Sequence, residues 1–105
     1  MTTAHEPPVV DLPAQRRFVL RDDGSEAELV YRPDGDLLVL IHTGVPAELE
    51  GRGIGGRLVR AALERARTEG LTLVPWCPFA RRWLHGHPDD AAGVPVDWAS
   101  EPPGA

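Results

Sequence analysis

Lysine is absent from this 105-residue chain, because all 11 basic residues are arginine. Without a side-chain amine the chain cannot form a Schiff base, which excludes pyridoxal-phosphate enzymes and lysine-dependent aldolases. The usual P-loop nucleotide site also needs a lysine. These enzyme classes are therefore excluded before any motif is considered.

Cysteine and long apolar runs are also scarce. Cys77 is the single cysteine, so we expect no internal disulfide and no zinc site built from several thiolates. No stretch approaches the roughly 18 apolar residues of a membrane span. Residues 1–13 lack the basic and apolar regions of a secretory signal. The sequence predicts a cytoplasmic protein with no metal site and no membrane contact.

Positive charge is in short supply, with 11 basic against 16 acidic residues and a formal net charge of -5. Such a chain lacks the cationic surplus that neutralises phosphates in nucleic-acid binding. Hydrophobic residues make up 42% of the chain, which is enough for a core at this length. We expect no nucleic-acid partner, a single domain, and a monomer or weak homodimer.

The chain divides into a polar N-terminal arm (1–14), one domain (15–99) and a proline-containing tail (100–105). Residues 16–21, 26–32 and 37–41 have the apolar patterns of strands. Turn residues separate them, first Asp22-Asp23-Gly24-Ser25 and then Pro33-Asp34-Gly35. Short turns between strands predict an antiparallel meander.

After the meander the apolar period becomes helical over residues 53–69, and Gly70 is a typical C-terminal stop. Residues 71–74 form a further apolar strand, which can lie parallel to 37–41 because a helix separates the two. Residues 78–85 predict a shorter second helix with Pro78 near its first position. The expected fold is α/β, an antiparallel meander followed by a β-α-β unit and a short second helix.

The most informative segment is the start of the long helix, where four glycines (51, 53, 55 and 56) lie within six residues. A helix N-terminus offers unpaired N–H groups and partial positive charge, and glycines let a ligand approach them. Arg52 and Arg57 lie in the same segment, where cations oppose the helix dipole unless an anion is bound. The segment therefore predicts a phosphate or pyrophosphate site.

The spacing of Gly51, Gly53 and Gly56 also fits the dinucleotide-binding pattern. That pattern should follow a strand immediately, but residues 43–49 intervene. The next strand ends in Pro75 with no acidic residue to hold a ribose. The context favours another phosphate ligand over a dinucleotide.

Three segments together resemble the GCN5-related N-acetyltransferases, and more narrowly their small single-domain members of the YjdJ type. The resemblance covers about residues 16–88. It is carried by His42-Thr43-Gly44-Val45-Pro46, by Gly51-Arg52-Gly53-Ile54-Gly55-Gly56-Arg57-Leu58, and by Leu73-Val74-Pro75-Trp76-Cys77-Pro78-Phe79.

The resemblance implies the acyl-CoA N-acyltransferase fold and a site for acetyl-CoA, with the pyrophosphate on the amides of the glycine segment. The pantetheine arm would run between the strands 37–45 and 71–74. The implied binding residues are Arg52, Gly53, Ile54, Gly55, Gly56 and Arg57 for the phosphates and Thr43, Gly44 and Val45 for the thioester end. Where the wider family has Gln or Arg three residues before Gly53, this chain has Glu50.

Two residues are candidates for catalysis. Cys77 is positioned as the N-cap of the second helix, where a thiol pKa falls, and the resemblance aligns it with a cysteine proposed as catalytic; the alternative is an inert buried thiol. His42 ends the central strand and could take a proton from an incoming amine, or simply bond a neighbouring carbonyl. Arg81 and Arg82 could meet the 3′-phosphate of CoA, or lie on a solvated helix face.

The predicted function is transfer of acetyl from acetyl-CoA to an amine acceptor. Both direct transfer and a route through acetylated Cys77 remain open. The alternative is a non-catalytic CoA-binding or protein-interaction module with the same fold.

Overall fold

The computed structural model describes residues 7–103. Its five strands form one sheet in the order β1-β2-β3-β4-β5, antiparallel throughout except for the parallel pair β4–β5. The elements are β1 Val10–Leu12, β2 Arg17–Asp22, β3 Ser25–Asp34, β4 Leu37–Gly44, α1 Ile54–Glu69, β5 Thr72–Pro75 and α2 Pro78–Gly86. The predicted α/β architecture of a meander followed by a β-α-β unit and a second helix is confirmed.

The meander is joined by two-residue turns. Asp22 pairs with Ser25 across the first turn, and Asp23 and Gly24 between them have φ of 53° and 83°. Two positive φ values in a row are typical of the primed turns whose twist matches a hairpin. Across the second turn Asp34 pairs with Leu37, so Pro33 and Asp34 belong to β3 rather than to the turn predicted there.

Helix α1 begins after Gly53 and ends before Gly70, both in the left-handed conformation. Its buried side chains recur at helical spacing and pack, together with α2, on one face of the sheet, which we call the helix face. The opposite face is called the outer face. The core on the helix face includes Phe18, Leu20, Leu29, Tyr31, Leu38, Leu40, Leu58, Ala62, Leu73, Ala80 and Leu84.

Strand β4 is irregular where it leaves its neighbour. Val30 pairs with His42 and Tyr31 with Leu40, so Ile41 is an extra residue without a partner in β3. The pairing of β4 with β5 ends at Leu40 and Pro75, although β4 continues to Gly44. The two parallel strands therefore separate after Leu40. The gap between them adjoins the start of α1 and the start of α2.

The ordered domain begins and ends beyond the predicted limits of 15 and 99. Val10–Leu12 form β1, paired with β2, so the arm assigned to residues 1–14 is corrected from residue 10 onward. At the other end the indole Nε1 of Trp76 donates a hydrogen bond to Ser100 at 3.0 Å. Residues 1–6 and 104–105 lie outside the described range.

Residues 95–97 run along the free edge of β5. The amide of Leu73 bonds the carbonyl of Pro95 at 2.9 Å, and its carbonyl accepts from Asp97 at 2.8 Å. Within residues 7–103 no helix is long and apolar enough to cross a membrane.

Candidate functional site

A cleft of about 590 Å³ opens where β4, α1 and α2 meet. Its floor is the end of β4, one wall is the glycine segment and first turns of α1, and the other wall is the apolar side of α2. The lining residues are Thr43, Val45, Leu49, Glu50, Gly51, Gly53, Ile54, Gly55, Gly56, Arg60, Phe79, Trp83 and His87. The structure thus gathers six of the predicted binding residues, namely Thr43, Val45, Gly53, Ile54, Gly55 and Gly56.

The N-terminus of α1 presents free hydrogen-bond donors to this cleft. The first bond of the helix runs from Arg57 N–H to Gly53 O at 3.1 Å, so the amides of residues 54–56 precede the intrahelical ladder. Among residues 7–103 no side chain caps them, and the first turn of α1 contains no acidic residue. The helix end is therefore suited to an anion.

The four glycines have two different roles. Gly53 has φ of 71°, a conformation that glycine adopts without strain, and an added Cβ there meets no atom within 4 Å. Gly55 and Gly56 instead allow close packing of α2. A Cβ on Gly55 would lie 2.6 Å from Phe79 Cζ, and one on Gly56 would lie 2.5 Å from Trp83 Nε1. Half of the glycine pattern is thus explained by contact between two helices.

The predicted arginines of this segment turn away from the cleft. Arg52 bonds Asp22 at 2.8 Å, and the guanidinium of Arg57 bonds the carbonyl of Pro7 at 2.8 Å. Neither side chain lines the cleft. The arginine that does line it is Arg60, one helical turn further along α1.

Residues of β4 point alternately to the two faces of the sheet. Thr43 pairs with the core residue Leu29 and so lies on the helix face, at the cleft. Gly44 pairs with Glu28 on the outer face and is not part of the lining. Of the three residues expected at the thioester end, Thr43 and Val45 line the cleft.

Cys77 is the N-cap of α2, as predicted, and is only 2% exposed. Its amide bonds Leu40 O at 2.9 Å, which extends the β4–β5 ladder by one bond. Its sulfur lies 3.2 Å from the hydroxyl oxygen of Thr43. The thiol packs in the core next to the cleft and is not part of the cleft lining.

His42 lies on the other side of the sheet from Thr43. It pairs with Val30 on the outer face and is exposed. A Cβ added to Gly44 would lie 3.3 Å from His42 Nε2 and 3.9 Å from Glu28 Cγ. The structure therefore does not bring the two catalytic candidates together.

Sequence reasoning missed the α2 wall of the cleft. Phe79, Trp83 and His87 lie four residues apart, a spacing that places side chains on one side of a helix. The rings of Trp83 and His87 are stacked with centroids 3.9 Å apart and an interplanar angle of 8°. Their spacing was the available signal for this wall.

His85, in the last turn of α2, and His87, which follows the helix, have different aromatic partners. His85 stacks on Trp98 with centroids 3.9 Å apart, whereas His87 stacks on Trp83. Among the described residues no group of three or more His, Cys, Asp or Glu side chains is placed to hold a metal ion.

Two comparisons with known proteins agree with this geometry. The sequence model of a family described as GCN5-related N-acetyl-transferase matches residues 17–93. The structure is similar to that of a Staphylococcus aureus protein proposed to be a GCN5-like N-acetyltransferase, solved in solution by NMR. The match has a TM-score of 0.68 and 27% sequence identity, and it covers 91% of this chain and 96% of that chain.

Proposed function

The chain belongs to the GCN5-related N-acetyltransferase family and is an acetyltransferase, and from this premise we propose that it moves acetyl from acetyl-CoA to an amine. The observation that carries the proposal is the cleft in which the uncapped N-terminus of α1 meets the parted strands β4 and β5. The helix end of this cleft suits an anion, as the pyrophosphate of CoA is. The strand end suits an extended chain, as the pantetheine arm of CoA is.

The phosphate end is supported by the amides of Ile54, Gly55 and Gly56, which have no partner within α1. The helix dipole adds partial positive charge at the same place. Gly53 has open space where a Cβ would be, so a phosphate can approach the backbone. These residues fit the pyrophosphate of CoA.

The pantetheine end is supported by the edge of β4 beyond Leu40. There β4 continues to Gly44 without pairing to β5. Backbone N–H and C=O groups on such an edge can bond an extended ligand as a further strand would. We propose that the amides of the pantetheine arm bond this edge, with the thioester near Thr43 and Val45.

For the transfer itself we propose direct attack of the amine. An ammonium acceptor first gives one proton to a base, and the neutral amine then attacks the thioester carbonyl. The new C–N bond forms as the C–S bond breaks, and the second proton passes from nitrogen to the leaving thiolate, which departs as the thiol. Glu50 lines the cleft and can accept a proton. Burial of Cys77 behind Thr43 is the reason for preferring this route to one through an acetylated thiol.

The acceptor is best matched by a cationic amine. The chain has a net charge of -5, which favours encounters with cations, and Glu50 is the acidic side chain of the lining.

The test compares Gly53→Ala with Gly70→Ala. Both glycines have nearly the same left-handed conformation, with φ of 71° and 69°, and neither added Cβ meets an atom within 4 Å. Each variant should lose about 1 kcal/mol of stability from backbone strain. Only Gly53→Ala should weaken CoA binding in calorimetry, because only its methyl group lies at the proposed phosphate site.

Activity is measured as thiol released from acetyl-CoA in the presence of small amines and of peptides with free N-termini. We expect turnover that depends on the amine. Failure of the wild-type chain to bind CoA at millimolar concentration would refute the proposal. If the chain binds CoA but acetylates none of the amines, the CoA site stands and the proposed acetyl transfer is refuted.

A further inference from the structure

Arg60 forms a three-layer stack with two aromatic rings at the cleft. Its Cζ lies 5.0 Å from the centroid of the Trp83 ring, and His87 stacks on the same indole at 3.9 Å. A parallel ring at that distance covers one face of the indole, so the guanidinium occupies the other. His87 Nδ1 lies 2.8 Å from the carbonyl of Trp83, and this hydrogen bond holds the imidazole in place.

The stack positions Arg60 without using its hydrogen-bond donors. Arg60 forms a long, exposed ion pair with Asp90, whose Oδ1 lies 3.6 Å from Nε, beyond hydrogen-bond distance. Within residues 7–103 no acceptor is bonded to its guanidinium, whereas Arg52, Arg57 and Arg81 all donate to protein oxygens. A guanidinium fixed against an aromatic face, with its fork of donors free, is prepared for an anion.

We propose that Arg60 binds a second phosphate group of the coenzyme, the 3′-phosphate of its ribose. This inference rests on the proposed function, which places the pyrophosphate on the amides of residues 54–56. Arg60 follows Gly56 by four residues, so it lies on the same side of α1 and about 6 Å further along the axis. The 3′-phosphate is the remaining phosphate group of CoA.

Charge supports the same assignment. Arg60 is the one arginine of the lining, and Glu50 is an acidic residue of that lining. Among the lining residues, Arg60 is therefore the arginine available to pair with a bound polyanion. Arg81 donates a hydrogen bond to the carbonyl of Trp98 at 2.8 Å, and neither Arg81 nor Arg82, the arginines predicted for this phosphate, is part of the lining.

The experiment is calorimetric titration of the full chain with CoA and with dephospho-CoA, which lacks the 3′-phosphate. The wild-type chain should bind CoA about tenfold more tightly, as expected for loss of one charge-assisted contact. Arg60→Gln should reduce this ratio to near one and leave the affinity for dephospho-CoA unchanged. The control Arg82→Gln, which removes an exposed arginine of α2, should keep the wild-type ratio.

Arg60→Lys is the second variant, since it keeps the charge but lacks the planar fork and should show an intermediate ratio. Equal affinity of the wild-type chain for both ligands, or a ratio unchanged in Arg60→Gln, overturns the inference while leaving the proposed function intact. A ratio lost in Arg82→Gln also overturns it. If neither ligand binds the wild-type chain, the proposed function has failed and this inference fails with it.

Discussion

The hydroxyl of Thr43 lies 3.2 Å from the sulfur of Cys77, and of these two groups only Thr43 lines the cleft. The thiol can hold the threonine hydroxyl in place, as donor or acceptor. Cys77 could thus orient Thr43 or act as a nucleophile itself. Measurements of turnover and of intact protein mass distinguish these two roles.

Cys77→Ala should therefore keep turnover within about threefold of wild type. It should cost about 1 kcal/mol in stability, because it leaves a small cavity in the core. Intact-mass measurement after mixing the wild-type chain with acetyl-CoA should show no added acetyl group. An acetyl adduct that disappears in Cys77→Ala together with turnover would establish the covalent route instead.

His42 should contribute little to catalysis in the cleft, because it lies on the outer face, whereas Thr43 lies on the helix face. We expect His42→Gln to leave kcat/KM and its pH profile within about threefold of wild type. Thr43→Val, which replaces the hydroxyl at similar volume, is the contrasting variant and should raise KM or lower kcat. A loss of kcat/KM of tenfold or more in His42→Gln, with Thr43→Val unaffected, would show that the reaction uses the outer face instead.

The face on which His42 lies illustrates what the sequence could not supply. Side chains alternate along a strand, so Leu38 and Leu40 on the helix face would place residue 42 there too. The extra residue at Ile41 reverses this alternation and brings Thr43 to the helix face instead. A bulge has no pattern of its own in a single sequence, so the exchange of the two residues was not predictable.

Other parts of the fold were predictable because their signals are local. The first hairpin follows from Asp23-Gly24, and α1 follows from its apolar period and its terminal Gly53 and Gly70. Strand β1 has only three residues and depends on distant partners, including pairing of Val10 with Val19. The directions of the Arg52 and Arg57 side chains were unpredictable for a similar reason, because their partners, Asp22 and Pro7, are distant in the sequence.

Helix packing at the glycine segment gives a prediction about stability. In Gly56→Ala the new methyl group would lie 2.5 Å from Trp83 Nε1. The indole ring cannot easily move away, because it is stacked on His87. Overpacking should exceed the gain in helix propensity and leave a net loss of about 1 to 2 kcal/mol in urea unfolding. In a Trp83→Leu background the same substitution should cost almost nothing.

The matched control is Gly86→Ala, at the last residue of α2, where an added Cβ meets no atom within 4 Å. It should be neutral or stabilise the chain by about 0.5 kcal/mol. Equal effects of Gly56→Ala and Gly86→Ala would mean that α2 does not pack on the first turn of α1.

Tyr31 predicts a pH dependence that also tests the placement of β1. Its hydroxyl donates to Asp11 in β1 at 2.6 Å and accepts from Arg65 in α1. Burial, followed by the bond to Asp11, raises the pKa of Tyr31 to about 12. The neutral phenol is thus favoured in the fold, so this contribution to stability is complete below the ordinary pKa of about 10 and is lost as pH rises through about 12.

The chain has a single tyrosine, so the ultraviolet absorbance of phenolate reports Tyr31 alone. The folded chain should titrate at about 12 and the urea-unfolded chain at about 10. Asp11→Asn should lower the folded pKa without returning it to the unfolded value, because burial of the ring remains. A folded chain that titrates as the unfolded one does would show that Tyr31 is open to solvent and that β1 does not close over it.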